Sequence, residues 1–265
     1  MQRFGLVIVG DEILSGKRSD AHLPKVVSLL AARGLALAWA RYVGDERALI
    51  TETLRDAFAS GDIVFSCGGI GATPDDHTRQ CAAAALGREL VLHPQAKALI
   101  LERMADVARE RGEPYQPERE DNVHRLNMGV FPAGAELIAN PYNKIPGFSV
   151  GDVHFVPGFP VMAHPMIEAL LDARYRSLHG SMLLPERSVI VLGAMEAALT
   201  PLMEDIEARY AGIKVFSLPS VDHPQHGKCI ELGVKGQGAL LDAAYAALHA
   251  GLVALRVPLG PELVR

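Results

Sequence analysis

The N-terminal third of the chain alternates short apolar runs with amphipathic stretches, and this pattern constrains the fold most. Apolar runs occupy 3–10, 35–45 and 62–69, and residues with helical spacing follow each of them, at 23–34, 46–61 and 73–87. Strands and helices that alternate through short connections form a parallel sheet with helices on both faces. The pattern therefore predicts an α/β fold with a ligand site at the carboxyl ends of the strands.

The pattern changes in the second half of the chain. Helical spacing at 95–111 and 162–175 and a strand-like run at 153–160 continue the first part, and the regularity stops between 175 and 185. After this break the order is strand, helix, strand, strand, helix, which is typical of a small open-faced α+β domain. We therefore predict a larger domain at 1–175 and a smaller one at 186–265.

Composition narrows the classes of protein to which the chain can belong. Hydrophobic residues make up 49% of the 265 residues, and the formal net charge is −5. A basic surface is typical of nucleic-acid binding, so we expect no nucleic-acid partner. The three cysteines are far apart in sequence, and no apolar run is long enough to cross a bilayer. We expect a cytoplasmic protein with no membrane partner.

The segment "CGGIGATPDDHT" at 67–78 follows the third predicted strand. Its glycines Gly68, Gly69 and Gly71 suit a loop whose backbone N–H groups bind phosphate. The adjacent carboxylates Asp75 and Asp76 would repel a phosphate that arrived alone. The loop has no Gly-Lys-Ser/Thr sequence and is not a dinucleotide fingerprint.

Helix capping offers a second interpretation of the aspartates. Thr73 is a suitable N-cap, Pro74 suits the first helical position, and Asp76 falls at the capping-box position. In that case the two aspartates stabilise a helix that begins at Thr73 or Pro74, by about 0.5–2 kcal/mol.

Further carboxylates follow the other predicted strands. Asp11 and Glu12 come after the first strand, and Asp45 comes after the second. Several carboxylates at one edge of a sheet repel one another unless a cation joins them. A divalent cation such as Mg²⁺ is bound by one or two carboxylates together with phosphate oxygens of a ligand. The sequence thus favours a site for a phosphorylated ligand with a metal, with solvated loop residues as the alternative.

The motifs "GDEILSG", "VGDE", "GGIGATPDDHT", "ANPYNKIPGF" and "VPGFP" occur here in a characteristic order. Over residues 4–175 the chain resembles the MoaB/Mog (molybdopterin-binding) domain family. It looks most like the branch found in CinA, the competence/damage-inducible protein, and in eukaryotic FAD synthases. The remainder is similar, more weakly, to the small KH-like domain that follows in CinA proteins.

The resemblance implies a three-layer α/β domain with a mostly parallel sheet that binds a small phosphorylated nucleotide or pterin. It also implies a pyrophosphatase that hydrolyses ADP-ribose- or FAD-type compounds with Mg²⁺, Mn²⁺ or Co²⁺. The alternative is a molybdopterin-binding protein without hydrolytic activity, linked to molybdenum cofactor biosynthesis. A homodimer is expected, and the deamidase activity of longer CinA proteins is not.

Site residues follow from the matching motifs. The resemblance implies that Asp45, Asp75 and Asp76 are catalytic and bind the metal. The residues that would bind the ligand are Gly68, Gly69, Gly71, Asp11, Glu12, Asp20, Asn143, Lys144, Pro157 and Gly158.

The sequence departs from the family pattern at several of these motifs. His22 replaces an amide side chain, and Met162 stands where the family has a glutamate. Asn143 occupies a glycine position, which it can fill because asparagine tolerates positive φ. Lys144 would add a cation near the expected phosphate. These changes bear on the identity of the substrate and on catalysis more than on the fold.

Overall fold

The computed structural model describes residues 2–181 and 184–265. It divides into two compact units, Met1–Met182 and Leu183–Arg265. The predicted break at 175–185 includes residues 182 and 183, which lie outside the described residues. The predicted ranges 1–175 and 186–265 remain a prediction about independently folding domains.

The first unit contains eight strands and seven α-helices among its described residues. The strands are β1 (Phe4–Val9), β2 (Leu37–Val43), β3 (Ile63–Cys67), β4 (Leu90–Leu92), β5 (Val130–Pro132), β6 (Glu136–Ile138), β7 (Gly147–Val150) and β8 (Val153–Val156). The helices are α1 (Asp11–Leu14), α2 (His22–Ala31), α3 (Arg47–Ser60), α4 (Thr78–Leu86), α5 (Pro94–Arg111), α6 (Glu120–Arg125) and α7 (Pro160–Ala173).

The main sheet has six strands in the order β2-β1-β3-β8-β7-β6. Strands β2, β1, β3 and β8 run parallel, whereas β7 and β6 are antiparallel to their neighbours. A separate two-stranded sheet pairs β4 with β5. The prediction of a mostly parallel sheet is therefore confirmed, with an antiparallel extension at one edge.

Apolar cores lie on both faces of this sheet, so the unit has three layers. On one face, α2 and α7 bury residues such as Leu30 and Ile167 against β1 and β3. On the other face, α3, α4 and α5 contribute side chains such as Leu54 and Ala82. Every residue of β1 and β3 is buried. Strands covered on both faces need continuous apolar runs, which explains their sequences.

A buried polar chain crosses the core beside β8. Ser149 and Tyr175 contact the two ring nitrogens of His154, at 2.7 and 2.6 Å, and the Tyr175 hydroxyl donates to Asp152 at 2.8 Å. Because that hydroxyl donates to a carboxylate, its oxygen accepts from Nε2–H, and Nδ1 accepts from Ser149. Burial lowers the pKa of His154 to about 3, with a smaller effect from Arg174. The ring is therefore neutral and satisfied on both nitrogens.

The second unit is a small α+β structure. Its elements are β9 (Glu186–Leu192), α8 (Glu196–Arg209), β10 (Lys214–His223), β11 (Gly227–Lys235), α9 (Ala239–Ala254) and β12 (Leu259–Val264). The four strands form an antiparallel sheet in the order β10-β11-β9-β12. Apolar residues of α8 and α9, including Leu199 and Leu248, share a core with the sheet. The predicted order is confirmed, and β12 adds a strand that the sequence analysis missed.

None of the helices described by the structure is long and apolar enough to cross a membrane.

Candidate functional site

A cavity of about 480 Å³ lies at the carboxyl ends of the parallel strands. We call it the strand-end cavity. Each of the four parallel strands is followed by residues that line it, namely Gly10 and Glu12 after β1, Asp45 after β2, residues 68–73 with Asp75 and Asp76 after β3, and Pro157–Phe159 after β8. Parallel strands in an α/β sheet place their following loops at one edge, so this location is expected for a ligand site.

The glycine loop after β3 is held tightly against its neighbours. The Gly68 N–H donates to the Val156 carbonyl at 3.0 Å, and the Thr78 hydroxyl donates to the Gly68 carbonyl at 3.0 Å. Gly68 has φ +105°, and a Cβ there would lie 2.4 Å from the Val9 carbonyl oxygen. A Cβ added at Gly158 would in turn lie 3.3 Å from the Gly68 Cα. Only glycine fits this crossing of the loops after β3 and β8.

Replacement of Gly68 with alanine is expected to destabilise the first unit by about 2–4 kcal/mol, because φ strain and a backbone collision add. Gly87→Ala is the matched control. Gly87 also has positive φ, +63°, but nothing lies within 4 Å of an added Cβ. It should cost only about 1 kcal/mol. Urea denaturation followed by fluorescence of Trp39, which lies in the first unit, measures both. Equal losses of unfolding free energy in the two variants would show that position 68 does not require glycine for steric reasons.

The segment after the glycine loop is a turn and not the start of a helix. Asp76 accepts hydrogen bonds from the Thr73 N–H, at 2.9 Å, and from the Thr73 hydroxyl, and the Asp76 N–H donates to the Thr73 carbonyl. Helix α4 begins only at Thr78, and its N-cap residue, His77, makes no side-chain cap. The predicted helix start at Thr73 or Pro74 was wrong. The contact of Asp76 with the Thr73 N–H resembles half of a capping box, but it closes an isolated turn.

Asp45 joins the loops that follow β1 and β2. Its carboxylate accepts from the Asp11 N–H at 3.0 Å, and its own N–H donates to the Asp11 carboxylate at 3.1 Å. Burial raises the pKa of Asp45, and the hydrogen bond from the Asp11 N–H partly offsets this effect. The negative charges of Asp11, Glu12 and Asp75 raise the pKa further. Asp45 therefore has a structural role as well as a place in the cavity. The carboxylates at this edge repel one another, and a bound cation would reduce this repulsion.

Asp75 lies in the cavity and is exposed to solvent. The nearby Thr73 side chain and the backbone N–H of Asp75 itself lower the pKa of Asp75, which is thus an anion at neutral pH. Residues 2–181 and 184–265 contain no group of three or more His, Cys, Asp and Glu side chains arranged to hold a metal ion. The structure thus brings Asp45, Asp75 and Asp76 to one cavity, but it does not place them as the three-carboxylate metal site that the sequence analysis predicted.

One arginine lies at this cavity and another lies under its glycine loop, and the sequence analysis placed neither among the site residues. Arg18 lines its wall. Arg79 lies beneath the glycine loop, 3% exposed, and its Nη2 donates to the Gly71 carbonyl at 2.6 Å. Arginine is rarely buried, so the sequence alone gives no indication that Arg79 lies in the interior.

The model of the family described as "probable molybdopterin binding domain" matches residues 5–176 of this chain. This range covers more than half of the sequence. The chain belongs to the molybdopterin-binding domain family. Within this family it is similar to CinA-like proteins, as two of the proteins below show.

Three similar proteins illustrate the relationship. A protein of Pyrobaculum arsenaticum is 31% identical over 205 residues, which are 76% of this chain and 74% of the relative. A CinA-like protein of Syntrophotalea carbinolica is 29% identical over 77% of this chain, which spans only 50% of that relative. The crystal structure of the protein CinA with unknown function from Thermoplasma acidophilum superposes with TM-score 0.54 and 26% identity, over 64% of this chain and 98% of that one.

Two residues of the molybdopterin-binding family motif near α2 have roles outside the strand-end cavity. Asp20 accepts from the backbone N–H groups of His22 and Leu23, at 2.7 and 3.0 Å, and from the Tyr42 hydroxyl. It therefore caps the first turn of α2 instead of lining the cavity. His22 is buried and contributes its Nε2–H to the Gly158 carbonyl at 3.1 Å. It supports the loop after β8 from beneath.

The motif at 140–146 also lies apart from the residues that line the cavity. Lys144 forms ion pairs with Glu102 and Asp106 of α5, at 2.6 and 2.7 Å. This placement does not support the prediction that Lys144 lies near the phosphate, because the Lys144 ammonium is already paired with these two carboxylates. Lys144 has the positive φ, +65°, that we had assigned to Asn143.

The side chain of Asn143 organises the same turn. It accepts from the Ile145 N–H and from Asn140, and it donates to the Met162 sulfur at 3.4 Å. Met162, in place of the family glutamate, thus packs against the turn as a weak acceptor. The departures at Asn143 and Met162 are therefore linked in the structure.

Phe159 is a further residue that the sequence analysis overlooked. It stands between Gly158 and Pro160, lines the cavity, and is 55% exposed. Its ring offers a surface on which a flat base or pterin can stack.

Proposed function

We propose that this protein binds a nucleoside diphosphate-linked compound of ADP-ribose or FAD type in the strand-end cavity and hydrolyses its pyrophosphate with a divalent metal. One observation carries the proposal. The N–H groups of a fixed glycine loop and the carboxylates of Glu12, Asp45, Asp75 and Asp76 line the same cavity. An anion and a cation must therefore be accommodated together, as in a metal-bound pyrophosphate.

The donor set fits a hard divalent cation. Carboxylate oxygens are the ligands of Mg²⁺ in proteins, and Mg²⁺ is commonly bound by only one or two carboxylates, the rest of its shell being water and phosphate oxygens. The absence of a three-carboxylate cluster among the described residues is compatible with such a site. Asp75 is the best-placed carboxylate, because it is exposed and ionised. When bound, the metal would neutralise phosphate charge and lower the pKa of an attacking water.

Other residues would bind and orient the ligand. Backbone N–H groups of the loop at 69–71 would hold phosphate oxygens and stabilise charge that develops in the transition state. Arg18, which also lines the cavity, would pair with a further phosphate oxygen. The exposed ring of Phe159 would contact the base or flavin ring by stacking.

A second candidate function is binding of molybdopterin without hydrolysis, linked to molybdenum cofactor biosynthesis. Two observations favour it. The chain belongs to the family described as a probable molybdopterin binding domain. Met162 also replaces a glutamate of the family motif and is occupied with Asn143, so it supplies no acid or base.

A thermal-shift screen separates the two candidates. With ADP-ribose and Mg²⁺, Mn²⁺ or Co²⁺ at about 100 times the dissociation constant, we expect about 2.7 kcal/mol of stabilisation, which is several degrees in Tm. ADP-ribose without metal should give much less. Stabilisation by a pterin phosphate with no requirement for metal, together with no response to ADP-ribose, would support the second candidate and contradict the first.

A further inference from the structure

A second cavity, of about 470 Å³, adjoins the strand-end cavity and shares Ala72, Thr73 and Asp76 with it. We call it the arginine cavity, because Arg47 and Arg79 line it. Its other polar residues are His77, Gln80 and Asn127. The cavity is therefore rich in hydrogen-bond donors.

Arg79 is a buried guanidinium whose hydrogen-bond donors are only partly paired by the described residues. Arg79 is only 3% exposed. Burial lowers the pKa of its guanidinium, and the charge of Asp76 opposes this effect. Its Nη2 has the Gly71 carbonyl as partner, whereas its buried Nε has no hydrogen-bond partner within the described ranges. A guanidinium remains charged in proteins, and a buried charge is costly unless it is paired.

Arg47 supplies a second, accessible cation at the same cavity. It is exposed and occupies the first position of α3, a helix of 14 residues. The N-cap residue of this helix, Glu46, makes no side-chain cap, so the first-turn N–H groups are available to an anion. Asp76 is the one carboxylate among the described lining residues, and Thr73 already donates two hydrogen bonds to it.

We propose that the arginine cavity is a binding site for a phosphoryl oxyanion, distinct from the strand-end cavity. Guanidinium groups match the geometry of phosphate oxygens and bind them with paired hydrogen bonds. Free inorganic phosphate and the phosphate of a nucleotide share this chemistry. The proposal does not depend on hydrolysis in the strand-end cavity, although the shared turn at Thr73–Asp76 would connect an anion here with a ligand there.

Isothermal titration calorimetry of the full chain tests the proposal with inorganic phosphate and, separately, AMP, without metal and at constant ionic strength in chloride. Arg47→Ala should weaken binding at least about tenfold, since a charge-assisted hydrogen bond is worth about 1.5–3 kcal/mol. Arg55→Ala is the matched control, because Arg55 is exposed on the same helix and does not line the cavity. The Arg55→Ala protein should bind the anions with the same affinity as the unchanged protein. Arg79→Gln, checked for folding by circular dichroism, should also lose binding.

The two anions identify the source of the phosphoryl group. Binding of inorganic phosphate that depends on Arg47 supports a site for the free ion. Binding of AMP alone, lost in Arg47→Ala, supports a site for a nucleotide phosphate. Binding that is lost in Arg18→Ala but kept in Arg47→Ala would place the anion in the strand-end cavity and overturn the proposal. Absence of binding for both anions would also overturn it, whether or not the protein hydrolyses ADP-ribose.

Discussion

Replacement of Asp75 with asparagine is expected to lower the rate of the proposed ADP-ribose hydrolysis at least about 100-fold. The reason is that Asp75 is the exposed, ionised carboxylate of the strand-end cavity. A metal contributes several kcal/mol of transition-state stabilisation, and each 1.36 kcal/mol is a factor of ten in rate. Tm should change by no more than about 2 °C, because exposed substitutions rarely exceed about 0.5 kcal/mol.

This substitution separates catalysis from stability better than changes at the neighbouring aspartates. Asp45 holds the loop of Asp11, and Asp76 closes the turn at Thr73. Asparagine at either position should therefore lower Tm as well as activity. Asp222→Asn is the control for loss of one exposed charge in the second unit. An Asp75→Asn protein with unchanged turnover would remove Asp75 from the mechanism.

The first unit is expected to lose stability steeply in acid because of His154. The ring stays neutral in the fold down to about pH 3, whereas in the unfolded chain a histidine gains a proton near pH 6.5. The unfolded state thus binds more protons below pH 6.5. The contribution of His154 to the free energy of unfolding is fully present above that pH. It falls by about 1.4 kcal/mol for each pH unit below it, or about 2–3 kcal/mol by pH 4.5.

The measurement compares the unchanged protein with His154→Gln in urea at several pH values. Trp39 is the single tryptophan and reports on the first unit. Carboxylates titrate in both proteins, so their effect cancels in the difference of the two free energies. That difference should shrink as pH falls, and the same comparison with exposed His124→Gln should show no such trend. A difference that is constant from pH 7 to pH 4.5 would contradict a neutral, buried His154.

The central strands and the edge of the sheet that carries the site could be predicted because their physical signals are local. Buried strands such as β1 and β3 require continuous apolar runs, and the connections after them fall at one edge of a parallel sheet. Strands β4, β5, β6 and β7 were missed, because they have only three or four residues each. Such short runs lack measurable periodicity.

The details of the site depend on contacts that the sequence does not encode locally. The Thr73–Asp76 turn satisfies the same hydrogen bond as a capping box, so its pattern alone could not reveal that α4 begins at Thr78. The burial of Arg79 and the pairing of Lys144 with α5 arise from elements far apart in the chain. Neither feature has a sequence signal.

Release of AMP from ADP-ribose tests the central claim most directly. The purified chain is incubated with ADP-ribose or FAD and with Mg²⁺, Mn²⁺ or Co²⁺ in turn, and nucleotide products are separated by chromatography. The proposed function predicts AMP that accumulates with time in the presence of at least one of these metals, stops when a chelator is added, and is lost in Asp75→Asn. No AMP from either compound with any of the metals, from protein that is folded, would contradict it.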